Sequence, residues 1–337
     1  MNKEKIKNYF NTSFGHITLF IILIIVTLLA LRLGSASLSF NEFIDGLFFK
    51  NDTNAIIIYN VRLPRVLAGI IAGAGLSLSG VLLQSILDNP LAAPSVIGIN
   101  SGAGFFTVLS LLIFIPSFSF NIILTPVFAF IGAFLTTILV ISLSHIVGSN
   151  KSSIVLAGIA INAIFNSLIS LITLINSDVL LSYHSFSIGG FIGVELNNLI
   201  IPIIIISICL VISLLLSKQI NVLCLGNNTA SALGINIKSI RTICIIIASL
   251  SAASVVSFSG LIGFIGLIVP HIARKITGNK TKSLLLNSCI LGSIITVIAD
   301  LLGRTLFAPS EMPVGIMLAF IGGPFFIFLL LKRRGKL

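Results

Sequence analysis

Apolar runs of membrane-spanning length with few or no charges recur along the whole chain, separated by short polar breaks. Ten can be marked, at residues 17–33, 62–87, 93–115, 120–147, 153–176, 197–216, 239–258, 260–273, 283–305 and 313–331. They predict an all-α integral membrane protein of about ten transmembrane helices. Two connecting segments are longer than the rest, residues 34–61 and 217–238, and neither is large enough to form a separate soluble domain. The expected organisation is a short N-terminal segment at 1–16, one transmembrane domain at 17–331 that contains the 217–238 loop, and a basic tail at 332–337.

Charge orients this ladder. If the N-terminus is cytoplasmic, fifteen of the twenty basic residues lie inside: Lys3, Lys5, Lys7, Lys151, Lys218, Lys238, Arg241, Arg274, Lys275, Lys280, Lys282, Lys332, Arg333, Arg334 and Lys336. Only Arg32, Lys50, Arg62, Arg65 and Arg304 fall at the outer side. An excess of lysine and arginine in short loops marks the cytoplasmic face, and an even number of spans returns the C-terminus there.

Composition agrees. With 56% hydrophobic and 9% charged residues, 337 residues cannot cover the polar surface of a soluble domain. The net charge of +11 sits in loops that flank apolar spans and builds no aromatic-interleaved basic patch, so nucleic acid is not the expected partner. The first apolar run follows a basic stretch as a signal peptide would, but its roughly 17 residues exceed a signal core and an uncleaved first span is expected. Cys209, Cys224, Cys244 and Cys289 share no metal or redox spacing, and His16, His145, His184 and His271 are equally scattered, so neither a disulfide nor a metal site is expected. No Walker A loop occurs; ATP, if used, is handled by another polypeptide.

Four stretches carry more specific information. Arg62-Leu63-Pro64-Arg65 opens the second run, with the proline expected in the first helical turn, and its charges suit either lipid-headgroup contact or an acidic docking partner. Asp88-Asn89-Pro90-Leu91-Ala92-Ala93-Pro94 ends that run at the inner face; a tight turn and a pathway-lining break both fit. In the 217–238 loop, Leu225-Gly226 leads to Asn227-Asn228-Thr229-Ala230-Ser231-Ala232-Leu233-Gly234, a short helix that Asn228 or Thr229 would cap and Gly234 would close in the left-handed conformation. Such an apolar knob either lies against the span ends or inserts into a partner's groove. In the last third, Gly263-Phe264-Ile265-Gly266-Leu267-Ile268-Val269-Pro270-His271-Ile272-Ala273-Arg274 precedes Asp300 and Arg304, four residues apart and able to pair; a proton relay through Asp300 is the alternative.

Together these stretches resemble the permease subunits of the FecCD-like family, which import ferric siderophores, haem and cobalamin as parts of ABC transporters. The likeness covers about residues 60–331. It implies a homodimer or heterodimer of ten-span subunits in a bacterial cytoplasmic membrane, with two cytoplasmic ABC ATPases that use ATP and Mg, an extracytoplasmic solute-binding lipoprotein or periplasmic protein, and no cofactor or enzymatic activity on this chain. It assigns Leu225, Gly226, Ala230, Leu233 and Gly234 to ATPase coupling with His271 and Arg274 bracing them, and Arg62, Arg65 and Arg304 to binding-protein docking. Gln84, Asn89 and Pro90 are expected to line the pathway. Ferric siderophore is the expected cargo, haem or cobalamin the alternative within the family; an ion-coupled secondary transporter using Asp300 is the alternative outside it. Spans 2–5 and 7–10 would enter the membrane from opposite sides, as two inverted units would, although no sequence identity relates them.

Overall fold

Lipid forces every backbone polar group to be satisfied within the chain, and the apolar runs accordingly fold as helices. The computed structural model describes residues 10, 12–36, 38–48, 53–114, 118–148 and 150–334. Most of the 1–16 segment with Lys3, Lys5 and Lys7, then Lys50, and the end of the basic tail with Lys336 lie outside the described residues, as therefore does part of the charge asymmetry.

Among the described residues all regular structure is helical, and ten helices stand where the ten runs were expected. They are α1 (Ser13–Arg32), α3 (Thr53–Leu87), α4 (Ile99–Phe114), α5 (Phe118–Val147), α6 (Lys151–Ile175), α8 (Leu196–Leu215), α11 (Ile237–Ser259), α12 (Ile265–Thr277), α13 (Thr281–Thr305) and α14 (Val314–Arg334). Between them lie four shorter helices, α2 (Phe40–Phe48), α7 (Ser177–Ile188), α9 (Ser217–Leu223) and α10 (Asn227–Ala232). Seven of the ten are long and apolar enough to cross a bilayer by themselves; α4, α12 and the apolar part of α14 are shorter.

Three boundaries differ from expectation. The second helix starts at Thr53 rather than 62, and Pro64 follows a π-helical turn at Ile57–Arg62; one wide turn absorbs the missing donor that a helix start was expected to hide. The third begins only at Ile99, because Pro94–Ile97 is a 3-10 turn closed by Gly98 at φ +89°. The eighth begins at Ile265, after a non-helical stretch at 260–264 in which Phe264 takes φ +67°, a left-handed conformation that is strained for a bulky residue.

Helix α3 is the axis of the molecule, buried over 83% of its apolar window against 22% for α6. Small residues make this packing tight. A Cβ added to Gly73 would come within 2.6 Å of the Ser293 amide and nearer still to the Gly292 carbonyl, so α3 and α13 touch backbone to backbone; Gly80 meets Gly266 of α12 in the same way. Hydroxyls add direct ties across the helices, from Ser251 to the Gly75 carbonyl at 2.9 Å and from Ser293 to the Ile70 carbonyl at 2.8 Å.

The two four-helix units, which no sequence identity relates, pack alike. Exchanging α3, α4, α5 and α6 with α11, α12, α13 and α14 turns each packed pair into another packed pair: α3–α13 into α11–α5, α4–α5 into α12–α13, α6–α4 into α14–α12. The irregular segments before α4 and α12 correspond as well.

Candidate functional site

Where the N-terminal part of α3 meets the C-terminal end of α13, three arginines and two carboxylates converge around the C-terminus of α1. A helix C-terminus presents carbonyls without intrahelical partners and a partial negative charge. Arg62 and Arg304 supply the missing donors: Arg62 Nη1 donates to Leu31 O at 2.9 Å and also to Arg32 O, its Nη2 donates to Ala36 O, and Arg304 Nη2 donates to Ala30 O at 3.2 Å. Arg65 Nε donates to Asp300 Oδ1 at 2.9 Å and Oδ2 at 3.2 Å, while its Nη1 pairs with Glu311. Arg304 Nε lies 3.0 Å from Asp300 Oδ2, one helical turn away.

Arg62, Arg65 and Arg304 are therefore not free outward charges; they are 3%, 5% and 2% exposed. They are spent inside the subunit on α1, Asp300 and Glu311, and a cavity of about 180 Å³ lined by the three arginines, Glu311, Gly34–Ala36, Ile57 and Val61 opens from them to the surface. Asp300, 2% exposed between two guanidiniums, is a structural counter-charge. Glu311 sits in the loop after α13. Burial pushes its carboxyl up, but hydrogen bonds from Arg65 and Ser35 and the charges of Arg65 and Arg304 together outweigh that and hold it below the ordinary value.

The C-terminal end of α3 is organised around Gln84. Its amide donates to Gly266 O and Leu267 O at 3.3 and 3.2 Å and accepts from Arg274, so it pins α12 to α3 where Gly80 and Gly266 touch. Gln84 is 3% exposed, inside the packed interior rather than on an open channel wall. Asn89 and Pro90 lie exposed in the turn that follows Asp88 at φ +49°, with Asn89 Oδ1 accepting from the Leu91 amide at 2.9 Å. His271 and Arg274 occupy the last two turns of α12, and Arg274 reaches back to Gln84 rather than toward α10.

Helices α9 and α10 form a knob at this face. Leu225 and Leu233 are 69% and 62% exposed while Ala230 is buried beneath them. Gly226 (φ +112°) precedes α10 and Gly234 (φ +75°) closes it, with the Ile235 amide bonding Ala230 O. No side chain caps α10; it begins at Asn227, which places the expected caps Asn228 and Thr229 within its first turn. The knob is tied into the bundle: Asn221 Oδ1 accepts from the amide and hydroxyl of Thr281 at 3.0 and 2.7 Å, capping α13 from outside, and Arg241 of α11 reaches Asn227 at 3.4 Å.

One surface escaped the sequence reading. On α6, Asn166, Ser167 and Ser170 are exposed, with both serine hydroxyls turned back onto the helix at Ala163 O and Asn166 O. Asn162, Asn166 and Ser170 recur every four residues with Ser167 beside them, a polar stripe that lipid disfavours; that spacing was the available signal. Among the described residues, no cluster of His, Cys, Asp and Glu is arranged to hold a metal ion.

Comparison with known proteins accords with this architecture. The model of the FecCD transport family matches residues 22–332. The hemin transport system permease protein HmuU of Yersinia pestis is 36% identical over 94% of this chain and 95% of its own length. The iron(3+)-hydroxamate import system permease protein FhuG of Bacillus subtilis is 33% identical, covering 94% of this chain and 96% of its own. A solved structure described as an inward-facing metal-chelate type ABC transporter superposes with a TM-score of 0.81 at 30% identity, over 94% of this chain and 98% of that one.

Proposed function

The chain belongs to the FecCD transport family and is a multi-pass membrane permease subunit of an ABC importer; from that premise we propose that it carries ferric siderophores, driven by ATP and Mg on separate ATPase subunits. The observation that carries the coupling half of this reading is the α9–α10 knob, exposed on its apolar side and fastened to α13 and α11 on the other. A knob seated in an ATPase groove would transmit closure as a rigid-body movement. Helix α13 is the lever: it runs from Thr281 at the knob to Asp300 and Arg304 at the outer cluster, 25 residues or about 37 Å.

Two subunits would enclose the pathway. The polar stripe of α6 needs water or a partner subunit beside it, and the non-helical backbone at 260–264, exposed at Gly263 and Phe264, needs the same. These, rather than Gln84, are the proposed lining. An intact chelate suits this lining, because it brings its own ligands to iron. A solute-binding protein would dock over the outer arginine cavity, and both termini would be cytoplasmic. The ion-coupled alternative requires Asp300 to exchange a proton, which two buried guanidiniums at 2.9 and 3.0 Å oppose.

The test is uptake of radiolabelled ferric siderophore by cells depleted of ATP at constant membrane potential, with Leu233→Glu as a second arm. Uptake should vanish on ATP depletion and in the variant while the protein still inserts. Uptake that follows the ion gradient, or a Leu233→Glu protein with undiminished ATP-dependent transport, would overturn the reading.

A further inference from the structure

Among the described residues the charges around the cavity do not balance. Three guanidiniums, Arg62, Arg65 and Arg304, face two described carboxylates, and the described partners of Arg62 are carbonyls. Arg65, with a side chain 6% exposed, keeps one nitrogen, Nη2, buried without a hydrogen-bond partner. The site has room and charge for one more anion.

Its two carboxylates are held differently. Asp300 is rigid: it lies on α13, is 2% exposed, and is bound by Arg65 and Arg304. Glu311 lies in a loop, has a side chain 26% exposed, and is held by Arg65 and by Ser35, itself in the loop after α1. Glu311 can turn to solvent without moving a helix, whereas Asp300 cannot. Its departure would leave Arg65 partly unpaired, an unfavourable state unless a second carboxylate arrives.

We propose that Glu311 is an exchangeable carboxylate: it fills the arginine cavity at rest and yields its place on Arg65 to an acidic side chain of an extracytoplasmic protein. The proposal rests on the docking reading above and deepens it. Exchange keeps Arg65 paired throughout, so docking trades one charged hydrogen bond for another. The resulting association is selective for a well-placed carboxylate yet reversible, as a partner that must leave after each delivery requires.

The experiment needs no partner. A reporter cysteine replaces Val61, which lines the cavity and is 57% exposed, in a Cys224→Ser background that removes the exposed native thiol. The full chain in lipid nanodiscs is labelled with an anionic sulfonatoethyl and a cationic trimethylammonioethyl methanethiosulfonate, and the ratio of rates is read. Glu311→Gln should raise the anionic-to-cationic ratio about tenfold, the effect of one unit charge several ångströms away near the surface, and the gain should fade at high salt. Glu311→Asp, which keeps the charge, should leave the ratio near its starting value and serves as the control for folding. Glu195→Gln, an equal charge change on an exposed residue outside the cavity lining, should do little. A ratio unchanged by Glu311→Gln, or raised equally by Glu195→Gln, would overturn the proposal while leaving docking itself standing. Docking fails separately if Arg65→Glu leaves binding-protein-stimulated ATP hydrolysis intact.

Discussion

Replacing Asp300 by Asn removes one charge and almost no volume, and so isolates what the buried carboxylate contributes. In the native protein it lies 2.9 Å from Arg65 Nε and 3.0 Å from Arg304 Nε and is 2% exposed. At an effective dielectric of about 20, each guanidinium at about 4 Å gains roughly 4 kcal/mol from the charge, much of it offset by desolvation. Removing one member of a buried ionic group typically costs about 3–5 kcal/mol, because the remaining charges stay buried. Here the guanidiniums of Arg65 and Arg304 would remain, with Glu311 still paired to Arg65. We expect a loss of about 3–5 kcal/mol and a melting point lowered by several degrees. The assay is built into the chain: Cys209, Cys244 and Cys289 are buried, so in a Cys224→Ser background a thiol-reactive dye reports unfolding in detergent or nanodiscs. Pairing Asp300→Asn with Arg304→Gln should restore part of the loss, since the net charge of the cluster then returns to its native value. An Asp300→Asn protein that melts normally yet loses gradient-driven uptake would refute this reasoning and return Asp300 to a proton-relay role.

Two further outcomes follow from particular contacts. In Gly292→Ala the added Cβ would lie 2.9 Å from the Gly73 carbonyl carbon and closer to Ser77 Oγ and the Gly73 oxygen, so α3 and α13 must separate at a cost of about 1–3 kcal/mol; Gly323→Ala, with nothing within 4 Å, should melt like wild type, and equal melting of the two variants would contradict the backbone contact. Glu311 has its carboxyl held below the ordinary value, so its clamp on Ser35 and Arg65 contributes stability that is complete above the unfolded carboxylate pKa and is lost as pH falls through the lower folded one. Wild type should then lose its melting-point advantage over Glu311→Gln only in acid, below about pH 4.5; a constant difference down to pH 3 would show that the carboxylate's charge is not what the clamp uses.

Much of the architecture was legible because the bilayer makes it local. Run length predicts a helix wherever lipid forbids unsatisfied backbone, and ten helices stand at the ten runs. The reading faltered where chain geometry depends on neighbours. The run at 260–273 carries His271 as its one polar side chain, but Gly260, at φ +68°, is pressed against the Phe186 carbonyl, and the chain stays non-helical to Phe264 before α12 begins. The helix Ser177–Ile188 was missed because its face is short and mixed, although Asn176 caps it through the amides of Asp178 and Val179. At the sites, the i,i+4 spacing of Asp300 and Arg304 pointed to contact, and the glycines that flank the Asn227–Ala232 knob marked its ends. Arg62 and Arg65 read as outward charges because their acceptors are remote in sequence.

What the sequence by itself determined is membrane residence, the ten long apolar helices and the two places where charge and small residues gather, for these depend on composition within a window of about twenty residues. Only the tertiary structure decided which charges are free. Arg65 meets Asp300 across 235 positions and Glu311 across 246, and Arg304 caps Ala30 across 274. Those pairings exist because small residues let α3 and α13 close to backbone contact, which draws their charged ends under the C-terminus of α1; no local pattern encodes that approach.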